Sequence, residues 1–203
     1  MITERPAAYG TGPRHTTAFL DHTTGFKEGH NSPRDYLEAY IEKIKMAETE
    51  IRAFVVIDLK AARKAADAAG QRYREDSPNS QLDGLPIALK DIIQTAELPT
   101  ESGSPIFKGW TAQRDSPVAA ALKRAGTIVV GKTATTEFAY GAITETRNPY
   151  DLQRTPGTSS SGSAAAVGAG MLPVAVGSQL MSSVMRPASY CGQVGVKPTY
   201  GTI

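Results

Sequence analysis

The hydrophobic residues of this chain are spaced in some segments as in helices and in others as in strands. A first helix is predicted to begin after Ser32, because a serine cap, a proline in the first turn and an acid at the third position precede apolar residues three or four positions apart. Arg52–Asp58 predicts a short strand, Lys60–Arg74 an alanine-rich helix and Glu75–Asp83 a polar loop.

The same alternation continues towards the carboxyl end. The apolar run Ile87–Leu89 predicts a strand that ends at Lys90-Asp91, and Ser116-Pro117 begins another helix. Thr127–Val130 predicts a buried strand. Helices that alternate with strands in this way predict an α/β protein with a mixed sheet. Residues 1–31 show little periodic hydrophobicity, and we interpret them as a loosely ordered arm before a domain over residues 32–203.

Composition and charge narrow the class of protein. Among 203 residues, 40% are hydrophobic and 21% charged, which is enough to build a folded core. The net charge of +2 comes without a long basic block and does not indicate a nucleic-acid partner. The longest run without charged or strongly polar residues, Ala164–Val176, is shorter than the ~20 residues of a spanning helix and contains Gly and Pro, and Met1–Gly10 does not resemble a signal peptide. We expect a cytoplasmic protein, with the single cysteine, Cys191, in the core.

Gly126–Thr133 (GTIVVGKT) matches the phosphate-binding P-loop pattern letter for letter. That site needs a strand before the first glycine and a flexible loop between the two glycines, so that the loop amides can wrap a phosphate. Here a predicted helix precedes the motif, and the residues between the glycines are themselves a β-branched strand. We therefore interpret the match as a coincidence and expect no nucleotide or other cofactor.

Gly157–Ser163 (GTSSSGS) has the composition of a flexible linker. It runs directly into an apolar, alanine-rich segment that predicts a buried helix. A glycine-rich turn at the start of a helix leaves backbone N–H groups free to hold a negative charge. This context favours a functional site over a linker.

A serine nucleophile in this chain would need an unusual base. All three histidines lie in the first 30 residues, and neither Gly-x-Ser-x-Gly nor Ser-x-x-Lys occurs near the serine-rich segments. Lys90 ends an apolar strand, where burial would disfavour the charged ammonium and lower its pKa. A desolvated lysine is therefore the best remaining candidate for the base.

Several segments in a fixed order resemble the amidase-signature family of serine hydrolases. The resemblance covers about Ser32 to Ile203 and rests on these motifs: Gly84–Asp91 (GLPIALKD), Glu101–Ser104, Asp115–Thr133, Glu137-Phe138, Pro156–Val167 (PGTSSSGSAAAV), Gly177–Pro187 (GSQLMSSVMRP) and Cys191–Gly201 (CGQVGVKPTYG). It implies the amidase fold, a mixed sheet between helices, in a domain more than twice as long. This chain would supply the N-terminal part, without the C-terminal part that lines much of the substrate pocket.

The resemblance also implies a Ser–cis-Ser–Lys triad. Ser183 would be the nucleophile, Lys90 the base, and Ser159, after a cis peptide bond, the hydroxyl that relays the proton between them. We expect the lysine amine and the two hydroxyls to form one hydrogen-bonded chain. The turn Leu180–Ser183 would hold the oxyanion on its backbone N–H groups.

The oxyanion turn departs from the family pattern. Leu180-Met181-Ser182-Ser183 stands where the family has Thr-Gly-Gly-Ser, so that Met181 and Ser182 replace residues without a side chain. If the turn keeps the family's path, Met181 points into or beside the acyl pocket and narrows it. Gly157-Thr158 likewise replaces a Gly-Gly pair.

The function that the resemblance implies is hydrolysis of an amide, or of a carbamate as in a urethanase, through an acyl-enzyme and without a metal. One alternative is a subunit that releases ammonia from glutamine for a tRNA-dependent amidotransferase. The other is a catalytically silent homologue that binds a partner. The expected partners are a small amide or carbamate and a second copy of the chain, with no direct contact to nucleic acid or membrane.

Overall fold

A computed structural model describes residues 18–202 of the chain. Four strands and six α-helices make up this part, together with 3₁₀ turns at Pro105–Phe107 and Glu137–Ala139. The helices are α1 (Phe19–Glu28), α2 (Pro33–Ile51), α3 (Leu59–Arg74), α4 (Pro117–Arg124), α5 (Ser161–Gly168) and α6 (Met185–Tyr190), and the strands are β1 (Phe54–Ile57), β2 (Pro86–Lys90), β3 (Ile128–Thr133) and β4 (Val174–Val176).

The four strands form one sheet in the order β1-β3-β2-β4. β2 runs parallel to both β3 and β4, whereas β1 is antiparallel to β3, so the predicted mixed sheet is confirmed. Lys90 pairs with Thr133, and Leu89 pairs with Val176. The carboxyl ends of the three parallel strands therefore lie at one edge of the sheet, and the segments that follow them start there.

The predicted local signals correspond to observed elements. α2 begins with a capping box, in which the Ser32 hydroxyl accepts the N–H of Asp35 and the Asp35 carboxylate accepts the N–H of Ser32, both at 3.1 Å. α3 starts at Leu59, one residue before the prediction, and Asp58 caps it by accepting from Ala61 N–H. β3 extends to Thr133, beyond the predicted end at Val130.

The interpretation of residues 1–31 as a loosely ordered arm is wrong for residues 19–28, which form α1. Its Phe26 is only 4% exposed, and its ring lies 5.3 Å from that of Tyr73 and 6.1 Å from that of Tyr36. Burial of the Phe26 ring stabilises the docking of α1, although the hydrophobic pattern of this helix is only weakly amphipathic. Residues 1–17 lie outside the described part of the chain.

The core lies on both faces of the sheet. On one face, residues of α2, α3 and α5 pack against Ala88, Ile128 and Val130. On the other, Ala119 of α4 packs with Ile87 and Leu89. Within residues 18–202 no helix is long and apolar enough to cross a membrane.

The P-loop match at Gly126–Thr133 forms a strand, as predicted. β3 is paired on both sides, so its amides are not free to wrap a phosphate. Lys132 is fully buried, and its Nζ bonds to Asp91 Oδ1 at 3.2 Å, Thr100 Oγ1 at 2.8 Å and the Pro99 carbonyl at 3.1 Å. The motif therefore supplies a structural ion pair.

Candidate active site

Lys90, the last residue of β2, points into a cluster of serine hydroxyls. Its side chain is fully buried, and Nζ donates to Ser159 Oγ at 2.7 Å and to Ser178 Oγ at 2.9 Å. A longer bond of 3.4 Å reaches the Ser178 carbonyl. β4 pairs with β2 in parallel, so Ser178, two residues beyond β4, lies at the same edge of the sheet as Lys90.

Burial without a carboxylate partner sets the charge state of Lys90. Among the described residues its hydrogen-bond acceptors are hydroxyl and carbonyl oxygens only. Burial lowers the pKa of Lys90 to about 8 from the ordinary value of 10.5. A lysine with this pKa is in part neutral near neutral pH and can accept a proton, which is what a general base requires.

Ser159 is held at the start of α5 and is only 2% exposed. Two hydroxyl pairs fix the first turn of α5, Ser161 with Thr144 at 2.9 Å and Ser163 with Thr133 at 2.7 Å. The serine-rich segment is therefore an ordered part of the site, as its context indicated.

The expected cis bond before Ser159 is absent: every peptide bond of residues 18–202 is trans. Trans is the ordinary geometry before a residue other than proline. The Ser159 hydroxyl bonds to Lys90 with the preceding bond trans, so this contact does not require a cis bond.

Ser183 does not join the hydrogen-bonded chain in this structure. Within residues 18–202 its hydroxyl is a partner of neither Lys90 nor Ser159, and Ser178 bonds to the lysine instead. The Ser183 carbonyl accepts the N–H of Ser160 at 3.2 Å, which places the turn Leu180–Ser183 beside the start of α5. The role of Ser183 as nucleophile stays a prediction.

The turn Leu180–Ser183 has an open backbone. None of its four N–H groups donates to an acceptor within the described part of the chain. Leu180 is 91% and Met181 84% exposed, so neither side chain narrows a pocket formed by these residues. The expected position of Met181 inside an acyl pocket is not observed. Unpaired N–H groups are what an oxyanion would need.

An apolar groove of about 420 Å³ adjoins this turn. It runs between α5, β4 and the last residues, and its lining includes Ser160, Ser178, Gln179, Val194 and Val196. Polar groups thus lie among apolar side chains in this groove, the usual character of a small-molecule site.

Other reactive groups play no part in this cluster. Cys191 is fully buried, as predicted, and burial raises the pKa of its thiol to about 12, which keeps it protonated. No group of three or more His, Cys, Asp or Glu side chains suited to a metal ion occurs in residues 18–202.

Comparison with known proteins identifies the family. A sequence model of the amidase family matches residues 35–203. The chain belongs to the amidase family. A glutamyl-tRNA(Gln) amidotransferase subunit of Anaeromyxobacter sp. (strain K) is 41% identical over 178 residues, which are 85% of this chain and 36% of that protein.

Solved structures of amidase-family relatives share the fold. The native peptide amidase from Stenotrophomonas maltophilia matches with a TM-score of 0.74 and 27% identity, over 87% of this chain and 39% of that one. A second structure, described as a vestigial complex that reveals the origins of an s-triazine catabolic enzyme, matches with a TM-score of 0.81 and 35% identity, over 87% of this chain and 40% of that one. The chain thus spans well under half the length of these relatives.

Sequence reasoning about this amidase-family chain missed Ser178. The available signal was the short alternating run Val174–Val176 followed by Gly177-Ser178. If this run pairs in parallel with the strand that ends at Lys90, the residues that follow it lie beside the lysine. The local sequence pattern does not show which strands pair.

Proposed function

We propose that the protein cleaves the carbon–nitrogen bond of an amide by acyl transfer to Ser183. The observation that carries this proposal is the buried Lys90, bonded to Ser159 at 2.7 Å and without a carboxylate partner among the described residues. Such a lysine can take a proton from a serine and return it to a leaving amine.

In the proposed reaction Ser183 Oγ bonds to the amide carbonyl carbon. Its proton moves to the Ser159 hydroxyl, which passes its own proton to neutral Lys90. The carbon–nitrogen bond then breaks, and the leaving amine takes a proton from Lys90 by the same route. Water attacks the resulting ester and loses its proton along this path, which frees the acid and restores Ser183.

This proposal requires the Ser183 hydroxyl to reach Ser159 when an acyl group binds. Hydrogen bonds in unliganded active sites are often long or poorly aligned and shorten in the substrate complex. The four unpaired N–H groups of residues 180–183 support the proposal, because they are available to the oxyanion that forms on attack.

For the substrate, the relatives favour a glutamine amide. The amidotransferase subunit from Anaeromyxobacter is 41% identical to this chain, against 27% for the peptide amidase. We therefore propose glutamine hydrolysis, in a subunit that passes ammonia to an amidotransferase partner, as the leading assignment. A small linear amide or carbamate is the second.

The opposing possibility is a catalytically silent protein that keeps the fold. Two observations favour it: Leu180-Met181-Ser182 replace the usual residues of the turn, and Ser183 is not bonded to Ser159. A labelling experiment separates it from the enzyme.

The full-length protein should react with a fluorophosphonate probe, and the labelled peptide should carry the adduct on Ser183. Ser183→Ala should abolish labelling, and Ser178→Ala, which removes the other serine near Lys90, should retain a labelled Ser183. A folded protein that resists the probe would support the silent homologue. An adduct on Ser178 would reassign the nucleophile.

Substrates are then compared on enzyme that has not been treated with the probe. Ammonia release from glutamine should exceed release from aliphatic amides, aryl amides and carbamates at equal concentration. The opposite order would favour the linear-amide assignment over the glutamine-hydrolysing one.

A further inference from the structure

The side chain of Gln179 bridges the turn that follows β4. Gln179 Oε1 accepts the backbone N–H groups of Val184 and Met185, each at 2.9 Å. These donors lie at the start of α6, where the helix has no partner of its own for them and Val184 has no side-chain oxygen to offer. Gln179 supplies the missing acceptor from across the turn.

The same turn is attached at both ends to Ser160. The Ser160 hydroxyl donates to the Ser178 carbonyl at 3.2 Å and accepts the Ser178 N–H at 3.3 Å. Its backbone N–H donates to the Ser183 carbonyl. Hydrogen bonds to Ser160 thus hold the chain at Ser178, before the turn, and at Ser183, at its end.

Side-chain packing does little to hold the turn itself. Leu180 and Met181 are almost fully exposed, and the N–H groups of residues 180–183 have no acceptor in the described part of the chain. The turn also lacks the glycines that would favour a tight bend. Its shape therefore depends on the bonds that bracket it. Among the described residues, Gln179 is the residue of this segment whose side chain bonds directly across the turn.

We propose that Gln179 is a positioning residue for acyl transfer. Its side-chain carbonyl holds the two ends of the turn together, which keeps the N–H groups of residues 180–183 and the backbone of Ser183 in the arrangement that the reaction uses. The inference rests on the proposed function, because it assigns Gln179 a part in the same site.

Gln179→Leu removes the acceptor at nearly constant size. We expect kcat, or the rate of fluorophosphonate labelling, to fall about 10²-fold, since a misplacement of about 1 Å costs that much. KM should change little, because leucine fills nearly the same space as Gln179 in the lining of the groove. Gln179→Glu keeps an acceptor oxygen at the same reach and should recover most of the lost rate.

Gln71→Leu is the matched control. It removes a glutamine of α3 that bonds to Glu75 Oε1 at 2.8 Å and that lines neither the groove nor the turn. Its rate should equal that of the wild type. If Gln179→Leu does not fold, Gln179→Ser takes its place, because the serine side chain is polar but too short to span the turn.

Ser183→Ala is measured in parallel. If that variant stays active, the proposed function fails. If it is inactive while folded Gln179→Leu or Gln179→Ser turns over like the wild type, the inference about Gln179 alone is overturned. Equal losses in the Gln179 and Gln71 variants, or no recovery in Gln179→Glu, would also overturn it.

Discussion

Two fully buried lysines lie near the ends of adjacent strands, and their partners separate their roles. Burial lowers the pKa of Lys132 as well, but the Asp91 carboxylate at 3.2 Å opposes this shift by stabilising the charged ammonium. Lys90 has only neutral oxygens around it within the described residues, so burial favours its uncharged form. The same residue type thus serves as a structural cation in one place and as a candidate base in the other.

The pH dependence of the rate tests Lys90. Protonated Lys90 cannot accept a proton, so kcat/KM should rise with pH through the lysine pKa of about 8 and level off above it. Lys90→Ala should lose about 10²–10⁴-fold in rate, the usual contribution of a general base. Both effects are measured on an amide substrate between pH 6 and 10.

Lys45→Ala, which alters a surface lysine paired with Glu42, is the control and should keep the wild-type profile. A flat profile from pH 6 to 9, with chemistry shown to limit the rate, would contradict a titrating Lys90.

At the scale of elements, the buried aromatic residue of α1 is Phe26. Phe26 packs between the rings of Tyr36 and Tyr73, whereas Leu20 of the same helix is 51% exposed. Phe26→Ala should lower the free energy of unfolding by about 3–5 kcal/mol, the usual cost of emptying such a site. Leu20→Ala should change it by less than about 0.5 kcal/mol. Urea unfolding of both variants measures the difference, and equal stabilities would show that α1 is not docked as described.

The buried pair of Asp91 and Lys132 joins the ends of β2 and β3 to the loop after β2. Lys132→Met leaves the buried Asp91 carboxylate unpaired and should cost about 3–5 kcal/mol of unfolding free energy. The double variant with Asp91→Asn removes both charges and should recover part of the loss. The double variant could instead be as unstable as the single one, which would mean that packing, and not the unpaired charge, causes the effect.

For the whole molecule, stability should be distributed unevenly around the site. β2 and β3 have strand neighbours on both sides, whereas residues 180–183 have no backbone acceptor among the described residues. Hydrogen exchange should therefore be slowest for peptides that cover 86–90 and 128–133 and fastest near 180–183. Mass spectrometry of deuterium uptake measures this order. Slow exchange in the turn would show that its N–H groups are paired in solution.

The sequence by itself determined the local elements and the position of the candidate base. Serine and aspartate caps, proline in the first turn and apolar spacing act over a few residues, so α2, α3, β2 and β3 were predicted close to their observed bounds. The predicted strand Thr127–Val130 was enough to argue against a phosphate loop. The end of an apolar strand was enough to predict a buried Lys90.

Only the tertiary structure decided which groups meet. Ser178 bonds to Lys90 across 88 residues of chain, and Asp91 to Lys132 across 41, because strand order and register place them together. The docking of α1 depends on rings that three separate helices contribute. Periodicity reports which face of an element is apolar, but it carries no information about which other element covers that face. The order and register of the strands therefore determine which groups of the site are in contact. The sequence determines the residue types that make these contacts.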